Sequence, residues 1–264
     1  MTEQRNDGRF VEELGGKGEL LIFVHGLGGS TNTWYPQAQV LKRDLRLVAY
    51  DLPGSGRTSL RDGVTIDSLV ADLHDVVEQV GGGRVHLAGH SLGTIICQHY
   101  AARYADKVAS LALVGAFPEP PEPARKALRD RAAKVRAEGM VAIADAIVAA
   151  GTSDDTKVNQ PAAAAYVRES IMGQPAEGYA RNCEALAALS RADLSALRCP
   201  ALLLTGDQDR TAPPDTASAL AAAIPGAELR VLDGCGHWAT IERAKQVNYA
   251  MTLFYSRQRS SQAA

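Results

Sequence analysis

Residues 89–93 read Gly-His-Ser-Leu-Gly, and this pentapeptide carries the chemistry of the chain. It follows an apolar strand-like run, Val85–Ala88, and precedes a helix-like run, Leu92–Tyr104. A serine on a sharp strand-to-helix turn exposes its Oγ at the carboxyl edge of a sheet. Gly89 and Gly93 leave room for a strained turn and for close packing of strand on helix. These flanks point to Ser91 as a nucleophile.

A serine hydroxyl is a weak nucleophile until a base takes its proton, and the base needs a third group to orient it. His237 is the best-placed base. It lies in Asp233-Gly234-Cys235-Gly236-His237-Trp238, a glycine-containing loop after the last strand-like run. Asp209, in Gly206-Asp207-Gln208-Asp209-Arg210, is the favoured orienting acid. Asp207 competes with it but lies nearer the strand end, where it would brace the turn. Asp233 reads as structural. The oxyanion of a tetrahedral intermediate needs donors already in place. One is expected from the N–H of Leu92, the residue after the nucleophile. The other is expected from the N–H of Leu27, in the loop His25-Gly26-Leu27-Gly28-Gly29. That glycine run lacks the lysine of a phosphate-binding loop, which argues against nucleotide binding.

His25, His86, His90 and His99 form no metal-ligand pattern, so no metal site is expected. His90, inside the turn, is placed to line the pocket. The four cysteines, Cys97, Cys183, Cys199 and Cys235, include no C-x-x-C pair, which argues against zinc or redox chemistry. Cys235 could be exposed near the site but lacks the strand–turn–helix context of Ser91.

Positioning these residues requires a sheet. Apolar runs at Leu20–Val24, Leu45–Tyr50, Val85–Ala88, Val108–Val114, Ala201–Thr205 and Leu229–Leu232 suit strands buried on both faces. Phe10–Leu14 suits an edge strand. Helical spacing links Ile66, Leu69, Leu73, Val76, Val77 and Val80, with Thr65 or Asp67 as cap and Gly81–Gly83 as stop. Further helices are expected over Asp215–Ile224 and Ile241–Arg257. Strands alternating with helices predict an α/β class with a mostly parallel, doubly wound sheet. Ligands of such sheets bind outside the carboxyl ends of the strands.

The stretch between Val114 and Ala201 breaks the alternation. It opens with Pro118-Glu119-Pro120-Pro121-Glu122-Pro123 and continues in alanine-rich helical segments near Ala124–Ala150, Pro161–Met172 and Ala176–Ser190. A connection of that length must carry its own structure. It reads as a helical cap over 118–195, inserted into a core of 1–117 and 196–264. The tail after Gln258 is polar and expected to fray.

Bulk properties exclude several classes. A chain of 264 residues can bury a sizeable core, and 46% hydrophobic residues is ordinary for a globular protein. A net charge of −2 gives no bulk attraction to nucleic acid or to an anionic membrane. The polar start, Met1–Arg9, has no signal-type apolar core, and no apolar run is long enough to span a membrane. The expected location is cytoplasmic.

Taken together, the segments 25–29, Asp51-Leu52-Pro53-Gly54-Ser55-Gly56, 89–93, 206–209 and Gly236-His237 resemble the α/β-hydrolase superfamily over nearly the whole chain. The order Ser, Asp, His is that family's order. Within it, residues 178–186 and Ala192-Asp193-Leu194 look most like 3-oxoadipate enol-lactonases and their relatives. Thr94 departs from the second glycine those enzymes often carry after the turn. The resemblance implies hydrolysis of a small-molecule ester or lactone through an acyl-enzyme, with no metal or organic cofactor. The cap would form the substrate pockets, with Trp34, Met172, Tyr179 and Trp238 as candidate lining. The resemblance also leaves open C–C bond hydrolysis of ring-cleavage diketones, cofactor-free peroxidase-like chemistry, and a slow-turnover small-molecule receptor. A homo-oligomer is compatible with all of these. The basic run Arg125–Arg136 reads as a solvated helix face, with steering of an anionic substrate as the sharper alternative.

Overall fold

A computed structural model describes residues 2–4, 8–81, 83–195 and 197–262. Parts of the polar start, Gly82 of the expected helix stop, Ala196 at the cap boundary and the last two residues lie outside the described residues. Eight strands form one sheet: β1 Thr2–Gln4, β2 Phe10–Gly15, β3 Leu20–Val24, β4 Arg46–Tyr50, β5 Val85–His90, β6 Val108–Val114, β7 Ala201–Gly206 and β8 Glu228–Leu232. Their order is β1-β2-β4-β3-β5-β6-β7-β8. The β1–β2 and β2–β4 pairings are antiparallel, and the remaining pairings are parallel.

The apolar runs form strands because both faces of the sheet are covered. Along β3, Leu21 and Phe23 point into one apolar cluster, and Ile22 and Val24 into the other. This is the period-2 alternation of a pleated strand, with two dry faces instead of one. Helices α2 Ile66–Val80 and α3 Leu92–Arg103 cover the Ile22 face. Helices α1 Tyr35–Leu41 and α11 Ala244–Gln262 pack together over the other. Thr65 caps α2, its side chain accepting the Ser68 N–H at 3.1 Å. Strand β8 differs from the expectation of burial on both faces. It is the sheet edge, and Val231 there is 45% exposed.

Five helices lie between β6 and β7: α4 Glu122–Glu138, α5 Val141–Gly151, α6 Asp154–Asn159, α7 Pro161–Met172 and α8 Ala176–Ala188. Gly139 divides the expected Ala124–Ala150 stretch into α4 and α5. Helix α9 Pro214–Ala223 follows β7. The expected Ile241–Arg257 helix is split into α10 Ala239–Glu242 and α11. The latter runs to Gln262, so the polar tail continues the helix beyond Gln258. Among the described residues no helix is long and apolar enough to cross a membrane.

The sheet order carries the functional geography. After β3 the chain goes outward to β4, then returns to β5 on the other side of β3. The connections from β3 and β5 therefore diverge, leaving a crevice at their carboxyl ends. The loop 25–29 and the Ser91 turn both issue into that crevice.

Candidate active site

Ser91 sits between β5 and α3 with φ +52° and ψ −116°, the sole positive-φ residue other than glycine among those described. Such a conformation costs roughly 1–3 kcal/mol and persists only where its surroundings enforce it. Enforcement comes from Ser91 N–H donating to the Val114 carbonyl at 3.0 Å. On the other side, Thr94 donates to the Ser91 carbonyl from both its N–H, at 2.8 Å, and its Oγ1, at 2.7 Å. A Cβ on Gly93 would collide with the Val24 carbonyl, so this helix turn can approach β3 only with glycine there.

His237 lies in the loop after β8, and its Nε2 is 2.8 Å from Ser91 Oγ. Its Nδ1 is 2.8 Å from Asp209 Oδ2. The other carboxylate oxygen, Oδ1, accepts the N–H groups of Thr211 and Ala212, each at 2.8 Å. Burial favours the neutral acid, but the neighbouring imidazole and these two N–H donors outweigh it and hold Asp209 below the ordinary aspartate range. The ionised carboxylate fixes the proton on Nδ1 and leaves the Nε2 lone pair facing the serine hydroxyl. Asp207 instead accepts the Cys235 N–H at 2.9 Å, bracing the loop.

The backbone around the imidazole is held from every side. His237 N–H donates to the Gly151 carbonyl at 2.8 Å, and His90 Nε2–H donates to the His237 carbonyl at 2.9 Å. The buried Glu242 carboxylate accepts Gly236 N–H at 3.1 Å and Trp238 N–H at 3.0 Å. It also accepts Ser153 N–H and Thr156 Oγ1–H, each at 2.8 Å, from the start of α6. Sequence reasoning missed Glu242, because its partners lie up to 89 residues away and no local pattern announces them.

A cavity of about 1240 Å³ opens over Ser91 and His237 beneath α4 and α5. His90, Tyr179 and Trp238, expected as lining, are on its wall, and so is Leu27, expected as an oxyanion donor. A Cβ on Gly26 would sit 2.7 Å from Ser91 Cβ, so the loop that carries Leu27 passes close to Ser91. Leu92 opens α3, and the first N–H groups of a helix have no intrahelical partner. Burial pushes His90 down to about 3, so its imidazole is neutral.

Two proposed lining residues are elsewhere. Trp34 precedes α1 on the sheet face away from the cap helices, fully buried and stacked on Phe23 at 4.8 Å between ring centres. Its large apolar ring fills that second core. Met172 ends α7 outside the cavity wall, and its sulfur accepts from Arg168 Nη1 at 2.8 Å. Cys235 is buried, not exposed, and burial raises its thiol pKa. His25 is also structural: Leu52 N–H donates to its Nε2, and its Nδ1–H donates to the Gly26 carbonyl, each at 2.9 Å. Among the described residues no cluster of three or more His, Cys, Asp or Glu could hold a metal ion.

The basic face of α4 is largely neutralised. Arg125 pairs with Glu119, Lys126 with Asp130, Arg129 with Glu122, Lys134 with Glu138, and Arg136 with Glu177 and Glu184. Among the described residues, Arg131 is the one of the six that lines the cavity with no carboxylate paired to it.

Comparison with known proteins gives a consistent picture. A model of the Alpha/beta hydrolase family matches residues 21–248. The enol-lactonase from Burkholderia xenovorans LB400 is 30% identical, with a TM-score of 0.87 over 97% of this chain and 100% of that one. A thermophilic esterase from Thermogutta terrifontis, solved with malate bound, is 28% identical, with a TM-score of 0.90 over 95% of this chain and 93% of that one. RutD of Caulobacter sp. (strain K31), named for carbamate hydrolysis, is 28% identical over 95% of this chain and 96% of its own length.

Proposed function

The chain belongs to the alpha/beta hydrolase family, and on that premise we propose that it is a serine hydrolase cleaving a carboxylic ester or lactone of a small molecule through an acyl-enzyme. The observation that carries this is the continuous chain from Ser91 Oγ through His237 to Asp209, with 2.8 Å at each link, opening into the cavity.

In this mechanism His237 Nε2 takes the Ser91 proton as Oγ attacks the carbonyl carbon. The Leu27 and Leu92 N–H groups receive the oxyanion. Asp209 stabilises the imidazolium without taking its proton. Collapse of the tetrahedral intermediate breaks the carbon–oxygen bond, and His237 returns the proton to the departing alkoxide. Water, deprotonated by the same nitrogen, then attacks the acyl-enzyme and releases the acid and free Ser91. Every step uses side chains or backbone groups of this chain, so the mechanism calls on no cofactor. The resemblance to the Burkholderia enol-lactonase and the Thermogutta esterase supports ester or lactone bonds. The resemblance to RutD favours a carbamate as a second acyl donor. The same triad would attack it, and kcat/KM on a matched ester and carbamate ranks the two.

The deciding experiment is hydrolysis of p-nitrophenyl butyrate with parallel fluorophosphonate labelling. The wild-type protein should turn over many times and be labelled at Ser91. Ser91→Ala should lose the label and on the order of 10⁶ in kcat, as serine proteases do. A Ser91→Ala protein that keeps most of its activity would overturn the assignment. Binding without product release would indicate a receptor instead.

A further inference from the structure

The cavity over Ser91 is larger than the scissile bond needs, and one of its walls is apolar throughout. Its volume of about 1240 Å³ exceeds the range of roughly 300–1,000 Å³ usual for small-molecule pockets. Helix α5 presents Ala142, Ile143, Ala146, Ile147 and Ala150 to it, positions three and four apart that share one helix face. Asp145, the charged residue of α5, pairs instead with Arg168 of α7 and stands off this wall. Ala146 and Ala150 are exposed, and their short side chains keep the cavity wide beside them.

One end of the wall abuts the base. Gly151, the last residue of α5, accepts the His237 N–H at 2.8 Å, and a Cβ on it would stand 3.4 Å from the Trp238 ring. From there the wall runs away from His237, and Ala150 to Ala142 covers about 12 Å at 1.5 Å rise per residue. An extended chain advances about 1.2 Å per bond, a third of the reach of an extended residue, so about ten chain bonds match that length. Direction decides which half of a substrate lies there. The nitrogen that takes the Ser91 proton must hand it to the leaving oxygen, so that oxygen sits on the His237 side of the carbonyl carbon. The acyl substituent leaves the same carbon in another direction.

We infer that the α5 wall is a channel for the alcohol half of the substrate. The preferred class is then an ester of a straight-chain apolar alcohol of about six to ten carbons, or a lactone carrying such a chain on the carbon bonded to the ring oxygen. This deepens the serine-hydrolase reading and rests on it for the bond that is cleaved. Ala146 and Ala142 set the chain length accepted and take no part in proton transfer.

The test follows proton release from acetates of ethanol, butanol, hexanol, octanol and decanol, and in parallel from ethyl esters of butanoic, hexanoic, octanoic and decanoic acids. In the wild-type protein kcat/KM should climb along the alcohol series by up to about fourfold per methylene, and less steeply along the acid series. Ala146→Phe sets a ring across the middle of the channel and should lower the octyl-to-ethyl acetate ratio about tenfold or more. Ala142→Phe, one turn farther from the base, should act only at longer chains than Ala146→Phe does. Ala146→Leu gives the same readout if the phenylalanine variant does not fold. A flat alcohol series, a steeper acid series, or ratios untouched by both substitutions overturns the channel. If no ester of either series is turned over, the hydrolase reading falls, and calorimetry of 1-octanol decides the channel alone. Binding weakened by Ala146→Phe upholds it, and no binding, or binding that ignores the substitution, overturns it.

Discussion

Asp207 and Asp209 differ in what each carboxylate holds, and that difference predicts unequal losses. Asp209→Asn would disturb the proton position on His237 and should lower kcat on the order of 10⁴, as the equivalent change does in serine proteases. Asp207→Asn keeps an oxygen for the Cys235 N–H and should cost less than about tenfold, by the small net worth of one neutral hydrogen bond. Steady-state kinetics on the two variants checks this, and equal losses would move the orienting role. A second prediction concerns His90. Its folded value of about 3 lies below the ordinary imidazole value of about 6.5. The unfolded chain therefore binds a proton that the folded chain refuses as pH falls through that interval. Stability is fully present above about pH 6.5 and declines by up to about 1.4 kcal/mol per pH unit below it. His90→Gln keeps a donor for the His237 carbonyl and should flatten denaturant midpoints between about pH 5 and 6.5. Identical slopes for both proteins would refute the assignment. At this scale the sequence was informative because the chemistry demanded particular residue types at strand ends. The sequence already favoured Asp209 over Asp207, and the hydrogen bonds of both supply the physical reason.

Elements bring these groups together, and the loop carrying His237 depends on a helix that sequence reading did not find. Helix α6 is short and polar, so it has no apolar periodicity to reveal it, yet Ser153 and Thr156 at its start share the Glu242 carboxylate with the loop. Glu242→Gln exchanges one acceptor oxygen for a donor facing N–H groups. It should lower kcat for a neutral ester more than it raises KM, with a fall in stability of about 1–3 kcal/mol. Urea unfolding and steady-state kinetics read the two effects. Loss of stability with kcat intact would leave Glu242 a purely structural anchor. The parallel strands were legible because β3, β5, β6 and β7 are buried on both faces and read as mainly apolar runs, interrupted only by His86, Ser110 and the polar strand ends. Strand β8 lies at the sheet edge and hides only Leu232 well, so its apolar residues misreport its burial. Trp34 misled for a related reason. A large ring near a glycine loop suits a pocket wall as well as a core, and the sheet face decides which.

For the whole molecule, the helices between β6 and β7 do not own a separate core. Leu128, Val135, Ile171 and Leu186 belong to one apolar cluster with Ile22, Leu87 and Leu113 of the sheet. Cap and core should therefore unfold in a single cooperative transition, with calorimetric and van't Hoff enthalpies equal. Two resolved transitions would show an independent unit. The insertion point was readable from the loss of strand–helix alternation, but the shared interior was not, since it joins side chains far apart along the chain. The contact between Gly54 and Gly178 has its own consequence. Backbone lies on backbone there, with no space for even a methyl group, and Asn182 ties down the Pro53 carbonyl at 2.9 Å beside it. Ser170 Oγ adds a bond to the Gly28 carbonyl at 2.6 Å. The roof is riveted along that eave, while the proline-rich stretch Pro118–Glu122 forms a different part of the cavity wall. Amide hydrogen exchange should accordingly be slow along α7 and α8, and uniformly fast exchange there would show that the seam opens.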